Sequence, residues 1–181
     1  KCAYKSRVLE QTLFFLPEKD GFIFFDKEKL RGIIAFADVI VLGPGMGNNP
    51  FLPEIIGFLC KNYTKTLILD ADALNAVAKN PGVIKSHVCK LILTPHIGEF
   101  ARLAPAIKPY DLRKVKAFAR NNKCVLALKS ACTVITDGKT TFFNVSGTPA
   151  LAKGGSGDVL SGVIAAYAAV CPPLDAAAKA C

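Results

Sequence analysis

The sequence predicts an α/β fold built on a mainly parallel sheet with helices packed against it. Several short runs are apolar throughout rather than alternating: VIVLG (Val39–Gly43), TLILD (Thr66–Asp70), KLILT (Lys90–Thr94) and VLALK (Val125–Lys129). That pattern suits parallel strands covered on both faces. Stretches of helical length separate these runs, as a sheet with crossover helices requires. A third observation adds an antiparallel element near the end. Asp137–Gly138 lies between TVIT (Thr133–Thr136) and TTFFN (Thr140–Asn144) and is a hairpin signal.

The elements follow in order. FIFF (Phe22–Phe25) reads as a first strand, followed by a helical pattern through about Phe36. After Val39–Gly43, Asn49–Pro50 opens a helix to about Asn62, proline being suited to a first helical turn. A helix from about Ala73 to Lys79 stops near Asn80–Pro81–Gly82. A short helix is expected from Gly98 and a longer one from Asp111 to about Asn121. A helix of small residues, Val159–Val170, closes the pattern.

Composition sets the class. Of 181 residues, 51% are hydrophobic and 20% charged, enough apolar material for one folded domain and too much for a disordered chain. No internal repeat or linker divides it, so residues 1–181 read as a single domain. The start at Lys1 and the ending LDAAAKAC give the expectation of a piece cut from a longer domain at both ends. Leu13–Leu16 is too short for a signal-peptide core, and no apolar stretch approaches the roughly 20 residues that span a bilayer.

The net charge of +9, from 23 basic and 14 acidic side chains, favours anionic partners. The basic residues are scattered and seldom interleaved with aromatics, which argues against nucleic acid and for small phosphorylated ligands. Seven cysteines form no CxxC pair and no zinc-like spacing with the two histidines. They are expected to be reduced thiols of a cytoplasmic protein. His87 reads as a surface residue.

In an open parallel sheet, ligands bind beyond the carboxyl ends of the strands. Four segments lie there. GPGMG (Gly43–Gly47) offers close backbone approach, or simply a tight turn. DADALN (Asp70–Asn75) offers two carboxylates: Asp72 suits a helix cap, and Asp70 is placed for a ligand or hydrated magnesium. TPHIGE (Thr94–Glu99) places His96 at a strand's end. The loop Gly154–Gly155–Ser156–Gly157–Asp158 directly precedes a helix whose first N–H groups and dipole favour an anion. Asp158 there is either a helix cap or a base beside a transferring phosphoryl group.

Taken in order, GPGMG, LDADALN, LTPHIGEFARL, LKSACTVIT and GGSGDVLSG resemble the ADP/ATP-dependent NAD(P)H-hydrate dehydratase family of the ribokinase-like superfamily. The resemblance runs from about Val39 to Val170. It implies a ribokinase-like fold and restoration of NADH or NADPH from their hydrates, driven by ADP or ATP with Mg2+. It implies that Gly45, Gly47, His96 and Asp158 meet the hydrated dinucleotide, with Asp158 the catalytic base. It further implies that Lys129, Ser130, Ala131, Cys132 and Thr133, with Gly155, Ser156 and Gly157, hold the adenine nucleotide. Asp70 and Glu99 are candidates for magnesium through bound water. A homo-oligomer is the expected assembly.

The sequence departs from the family pattern in places. Ser130 and Cys132 stand where glycines are usual, Thr148–Pro149–Ala150 replaces Asn-Pro-Gly, and Ile97 follows His96 where Pro is common. A ribokinase-like kinase of a vitamin-precursor alcohol shares the anion hole and base, but commonly carries TPNxxE where this chain has Thr94–Glu99. A catalytically silent nucleotide-binding module is the third reading. His96 and DADALN favour the dehydratase.

Overall fold

The structure, a computed structural model, describes residues 15–181. Cys2, Leu13 and Phe14 therefore lie outside the described residues. Two short strands come first, β1 (Glu18–Lys19) and β2 (Phe22–Ile23), paired antiparallel apart from the main sheet. The two-residue loop Asp20–Gly21 joins them with φ of 52° and 82°, the positive values a tight hairpin turn requires. FIFF is thus not a strand of the main sheet. Only Phe22–Ile23 pairs, and Phe24 and Phe25 turn away to stack edge-on against Phe51 and Phe58.

The main sheet runs β3 (Val39–Leu42), β4 (Thr66–Leu69), β5 (Lys90–Leu93), β6 (Cys124–Leu128), β7 (Thr133–Thr136), β8 (Thr141–Asn144) in that spatial order. The first four strands are parallel and the last two pairings antiparallel. Connecting the parallel strands are α2 (Leu52–Asn62), α3 (Ala71–Lys79), then α4 (Ile97–Leu103) with α5 (Leu112–Asn121). Each crossover steps to the next strand in the same direction, and the right-handed rule puts such helices on one face. Leu67, Leu69, Leu91, Leu93 and Leu126 form the core on that face with Ile56, Leu74, Phe100 and Val115.

The opposite face belongs to α6 (Ser156–Ala168) and α7 (Pro173–Ala180). There Ile68, Ile92, Val125 and Ala127 meet Ile164 and Ala177. Successive strand residues thus enter different cores, which explains why the runs are apolar without alternation. The small-residue helix starts and ends earlier than the sequence pattern suggests, since α6 runs from Ser156 to Ala168 rather than from Val159 to Val170.

Side chains fix several boundaries. Asp26 caps α1 (Lys27–Phe36) by accepting from Glu28 N and Lys29 N, and Asp111 caps α5 by accepting from Lys114 N. Asn49 accepts from Phe51 N and donates to Ile23 O, tying the β2 segment to the start of α2. His87 is half-buried rather than superficial, with its ring nitrogens 2.9 Å from Cys89 O and Asn122 O. The hairpin expected at Asp137–Gly138 joins β7 to β8, with the second strand starting one residue later than the pattern suggests. Residues 137–140 form a four-residue connection in which Asp137 accepts from Lys139 N and Thr140 N.

Two glycines give opposite expectations. At Gly43, φ is +125° and an added Cβ would fall 1.8 Å from Asp70 O, so Gly43→Ala should cost ~2 kcal/mol or more. At Gly32, mid-helix with nothing within 4 Å, Ala should add about 0.5–1 kcal/mol. Paired denaturant titrations read both signs, and a neutral Gly43→Ala would contradict the close approach of β3 to α3.

Candidate functional site

The carboxyl ends of β3 to β6 are level, because Leu42 pairs with Leu69, Leu69 with Leu93, and Leu93 with Leu126. Four loops therefore emerge together, joined from the other face of the sheet by the amino end of α6.

At their centre is Asp70, which is 1% exposed. Its Oδ1 accepts from Ala71 N at 2.9 Å and from Lys129 Nζ at 2.9 Å, while Oδ2 accepts from Ser161 Oγ at 2.6 Å. A buried carboxylate is tolerated when its oxygens are paired and hydrogen-bonded in this way. Asp70 is also the cap of α3, followed by Ala71 at φ +47°. The sequence pattern suggests Asp72 for that capping. Instead Asp72 reaches back to accept from Gly47 N at 2.7 Å, holding the GPGMG loop against α3. Gly45 and Gly47 both have positive φ, 70° and 64°.

His96 caps α4. Its Nδ1 accepts from Gly98 N at 3.0 Å and Glu99 N at 3.3 Å, and Glu99 Oε2 accepts from His96 N in return. Because Nδ1 accepts, the neutral ring carries its proton on Nε2. Gly98 leaves the space the ring needs, since a Cβ there would meet His96 Cε1 at 2.9 Å. The side chain remains 55% exposed, and its Nε2 lies 3.6 Å from Glu99 Oε1. A parallel bridge joins His96 to Lys129, and Lys129 N donates to Pro95 O at 2.8 Å.

Lys129 to Thr133 form the next loop. Ser130 Oγ donates to Cys132 O at 2.5 Å and Thr133 Oγ1 to Ser130 O at 3.3 Å, which folds the Ser130 hydroxyl into the turn. Cys132 is exposed. Above Lys129 lies the first turn of α6: a Cβ on Gly157 would be 3.5 Å from Lys129 Nζ. Gly155, at φ +87°, occupies the capping position without a side-chain hydrogen bond.

Asp158 is therefore not the cap of α6; it is the third residue of the helix and exposed. It lines a groove of about 500 Å³ together with Gly43, Pro44, Met46 and Gly162. Four carboxylates occupy this end of the sheet. Asp70, Asp72 and Glu99 each accept from a backbone N–H or a cation, whereas Asp158 has no hydrogen-bonded or ion-paired partner among the described residues.

The structure thus gathers the residues singled out by sequence at one end, with two additions. Ser161 is fully buried on Asp70, and its signal was a polar residue on the inward face of an apolar helix. Arg102 Nε donates to Asn75 Oδ1 at 3.0 Å, linking α4 to α3. Among the described residues no three His, Cys, Asp or Glu side chains are grouped to hold a metal, and no helix is long and apolar enough to cross a membrane.

The chain is similar to known proteins in sequence and in fold. A bifunctional NAD(P)H-hydrate repair enzyme of Moorella thermoacetica is 40% identical over 141 residues, 75% of this chain and 26% of that protein. Its counterpart from Pyrobaculum aerophilum is 36% identical over 98% of this chain and 36% of its own length. The crystal structure of ADP/ATP-dependent NAD(P)H-hydrate dehydratase from Bacillus subtilis, co-crystallised with ATP/Mg2+ and soaked with CoA, superposes with a TM-score of 0.65 at 30% identity. That match covers 79% of this chain and 53% of the other. The chain thus spans about a quarter to a third of these curated relatives and about half of the solved structure. The family model described as NAD(P)H-hydrate dehydratase matches residues 15–181, and the chain belongs to that family.

Proposed function

We propose that this chain carries the nucleotide-dependent dehydratase site that returns hydrated NADH or NADPH to the reduced dinucleotide. The observation that carries the reading is the unpartnered carboxylate of Asp158, held at the amino end of α6 and facing the GPGMG loop across the groove. A general base needs a free lone pair within reach of the proton it removes. Asp158 takes the proton of the ring hydroxyl while that oxygen attacks the terminal phosphorus of ADP or ATP. The P–O bond to the nucleotide breaks, and hydroxide, a poor leaving group, is replaced by phosphate. Departure of phosphate with the C–O bonding pair, and loss of a proton from the adjacent ring carbon, then restore the ring double bond.

The other residues bind and orient. The first-turn N–H groups of α6, with Gly155, Ser156 and Gly157, receive phosphate oxygens. Lys129 has three donors, one of which goes to Asp70, so it meets phosphate without leaving its carboxylate. Ser130 to Thr133 form the far wall of this cradle. Gly45, Gly47 and the Nε2 of His96 receive the hydrated dinucleotide. Asp70 and Glu99 are already hydrogen-bonded, so magnesium is expected to travel with the nucleotide, ligated by phosphate oxygens and water. The same reading places the protein in the cytoplasm as a homo-oligomer.

Three substitutions test the roles. Asp158→Asn keeps size and removes basicity. Turnover should fall roughly a hundredfold or more, with melting temperature and nucleotide affinity nearly unchanged. Near-normal turnover would sink the mechanism. His96→Asn preserves a good helix cap while removing the imidazole, so KM for the hydrate should rise with little change in stability or nucleotide affinity. A parallel fall in both affinities would make His96 purely structural.

Lys129→Ala should weaken nucleotide binding about tenfold or more, ~1.4 kcal/mol. It should also destabilise the fold by about 3–5 kcal/mol by leaving Asp70 buried without its cation. The double variant Asp70→Asn/Lys129→Ala should recover most of the stability but not the affinity. Calorimetry and thermal melts separate the two effects.

A further inference from the structure

A second cluster lies at the opposite end of the sheet, where Cys89 enters β5 and Lys123 precedes β6. His87 has each ring nitrogen 2.9 Å from a carbonyl oxygen, Nδ1 at Cys89 O and Nε2 at Asn122 O. A carbonyl can only accept, so satisfying both contacts requires an N–H on each nitrogen. The two contacts together favour a ring protonated on both nitrogens. None of the described carboxylates forms an ion pair with it. Asp137, which lines the adjoining cavity, is committed to Lys139 N and Thr140 N. The group facing the cation is the Cys89 sulfur, 3.8 Å from Nδ1.

Cys60 completes the cluster from the end of α2, where its carbonyl accepts from Val88 N at 2.8 Å. Interaction between the two thiol groups pushes Cys60 upward and pulls Cys89 down to about 6, with His87 drawn up to about 9 by the Cys89 sulfur. Cys60 is fully buried and Cys89 is 5% exposed, and only Cys89 lines a cavity of about 440 Å³ edged by Lys90 and Lys123. A small reagent thus reaches the Cys89 sulfur through this cavity, with Cys60 behind it.

We propose that Cys89 is a thiolate paired with the His87 imidazolium and a site of oxidation by hydroperoxides, with Cys60 as its resolving thiol. The Cys89 sulfur attacks one peroxide oxygen, the O–O bond breaks, and hydroxide leaves, giving a sulfenic acid. The Cys60 sulfur then attacks the Cys89 sulfur, the S–O bond breaks, and its proton leaves with the hydroxyl as water. Two thiols and one hydrogen peroxide become one disulfide and two waters.

Alkylation by iodoacetamide, followed residue by residue by mass spectrometry on the folded full-length protein, tests the thiolate. The Cys89 rate should be flat from pH 7 to 8.5, where an ordinary thiol's rate climbs roughly tenfold per pH unit. His87→Gln should lower the rate at pH 7 about tenfold, and if that variant does not fold, the wild-type profile decides. Equimolar hydrogen peroxide should yield a Cys60–Cys89 linked peptide in the wild type and a dimedone adduct on Cys89 in Cys60→Ser. A Cys89 rate that climbs to pH 8.5, or peroxide-treated protein in which Cys60 and Cys89 remain thiols, overturns the proposal.

Discussion

The carboxylate of Asp70 joins three segments that are far apart in sequence and on different faces of the sheet. It starts α3 on one face, holds Lys129 at the end of β6, and receives Ser161 from α6 on the other. A charge with 1% exposure has no water to fall back on, so each partner is required. The ion pair contributes little to stability when compared with an apolar pair of the same shape. Its effect is geometric: it fixes how far the amino end of α6 stands from the strand ends. The loop after β3 depends on the same residue, because Asp70 O occupies the space a side chain at position 43 would need.

Most of the sheet was legible because its strands are buried on both faces. Val39–Leu42, Thr66–Leu69, Lys90–Leu93 and Cys124–Leu128 declare themselves by unbroken apolar runs. FIFF misled for the same reason. Its apolar residues serve a hairpin and aromatic stacking rather than the central sheet, and a four-residue run does not distinguish these. The dipeptide Asp-Gly occurs at 20–21 and 137–138 with different outcomes. At 20–21 it forms a two-residue turn. At 137–138 the glycine packs against Arg120, and the Asp side chain organises a longer loop. The dipeptide encodes a chain reversal; its loop length is decided by what packs beneath.

The clustering of the candidate residues was legible as the polar ends of apolar runs, but their partners were not. The exchange of roles between Asp70 and Asp72 shows the limit. Either carboxylate can cap α3, and which one does so is decided by Lys129 and Ser161, distant in sequence. His96 shows a related ambiguity. A histidine and an asparagine can both cap α4 at this position, so the capping geometry does not separate a dehydratase from a kinase bearing Asn there. Under the proposed function the separating group is Nε2, which an asparagine lacks and which lies 3.6 Å from Glu99 Oε1 on a side chain 55% exposed. His87 was unreadable for want of local pattern: its second carbonyl partner is Asn122, brought beside it by the packing of α5.

Under the proposed function, the electrostatic arrangement explains how a carboxylate can stand beside a helix end that receives phosphate. Asp70 and Lys129 sum to no net charge, so the attraction for phosphate in that reading rests on the open N–H groups of α6 and the remaining donors of Lys129. Asp158 would cancel that attraction if it turned back to cap the helix. At the third helical position it projects instead toward the groove edged by Gly43 and Pro44. The glycine at the cap has no side chain to occupy the N–H groups; Ser156 N donates to Lys153 O at 3.3 Å, and those of Gly157 and Asp158 stay open among the described residues. One turn of helix thus presents donors on one side and a free carboxylate on the other, the division of labour that phosphoryl transfer to a hydroxyl requires.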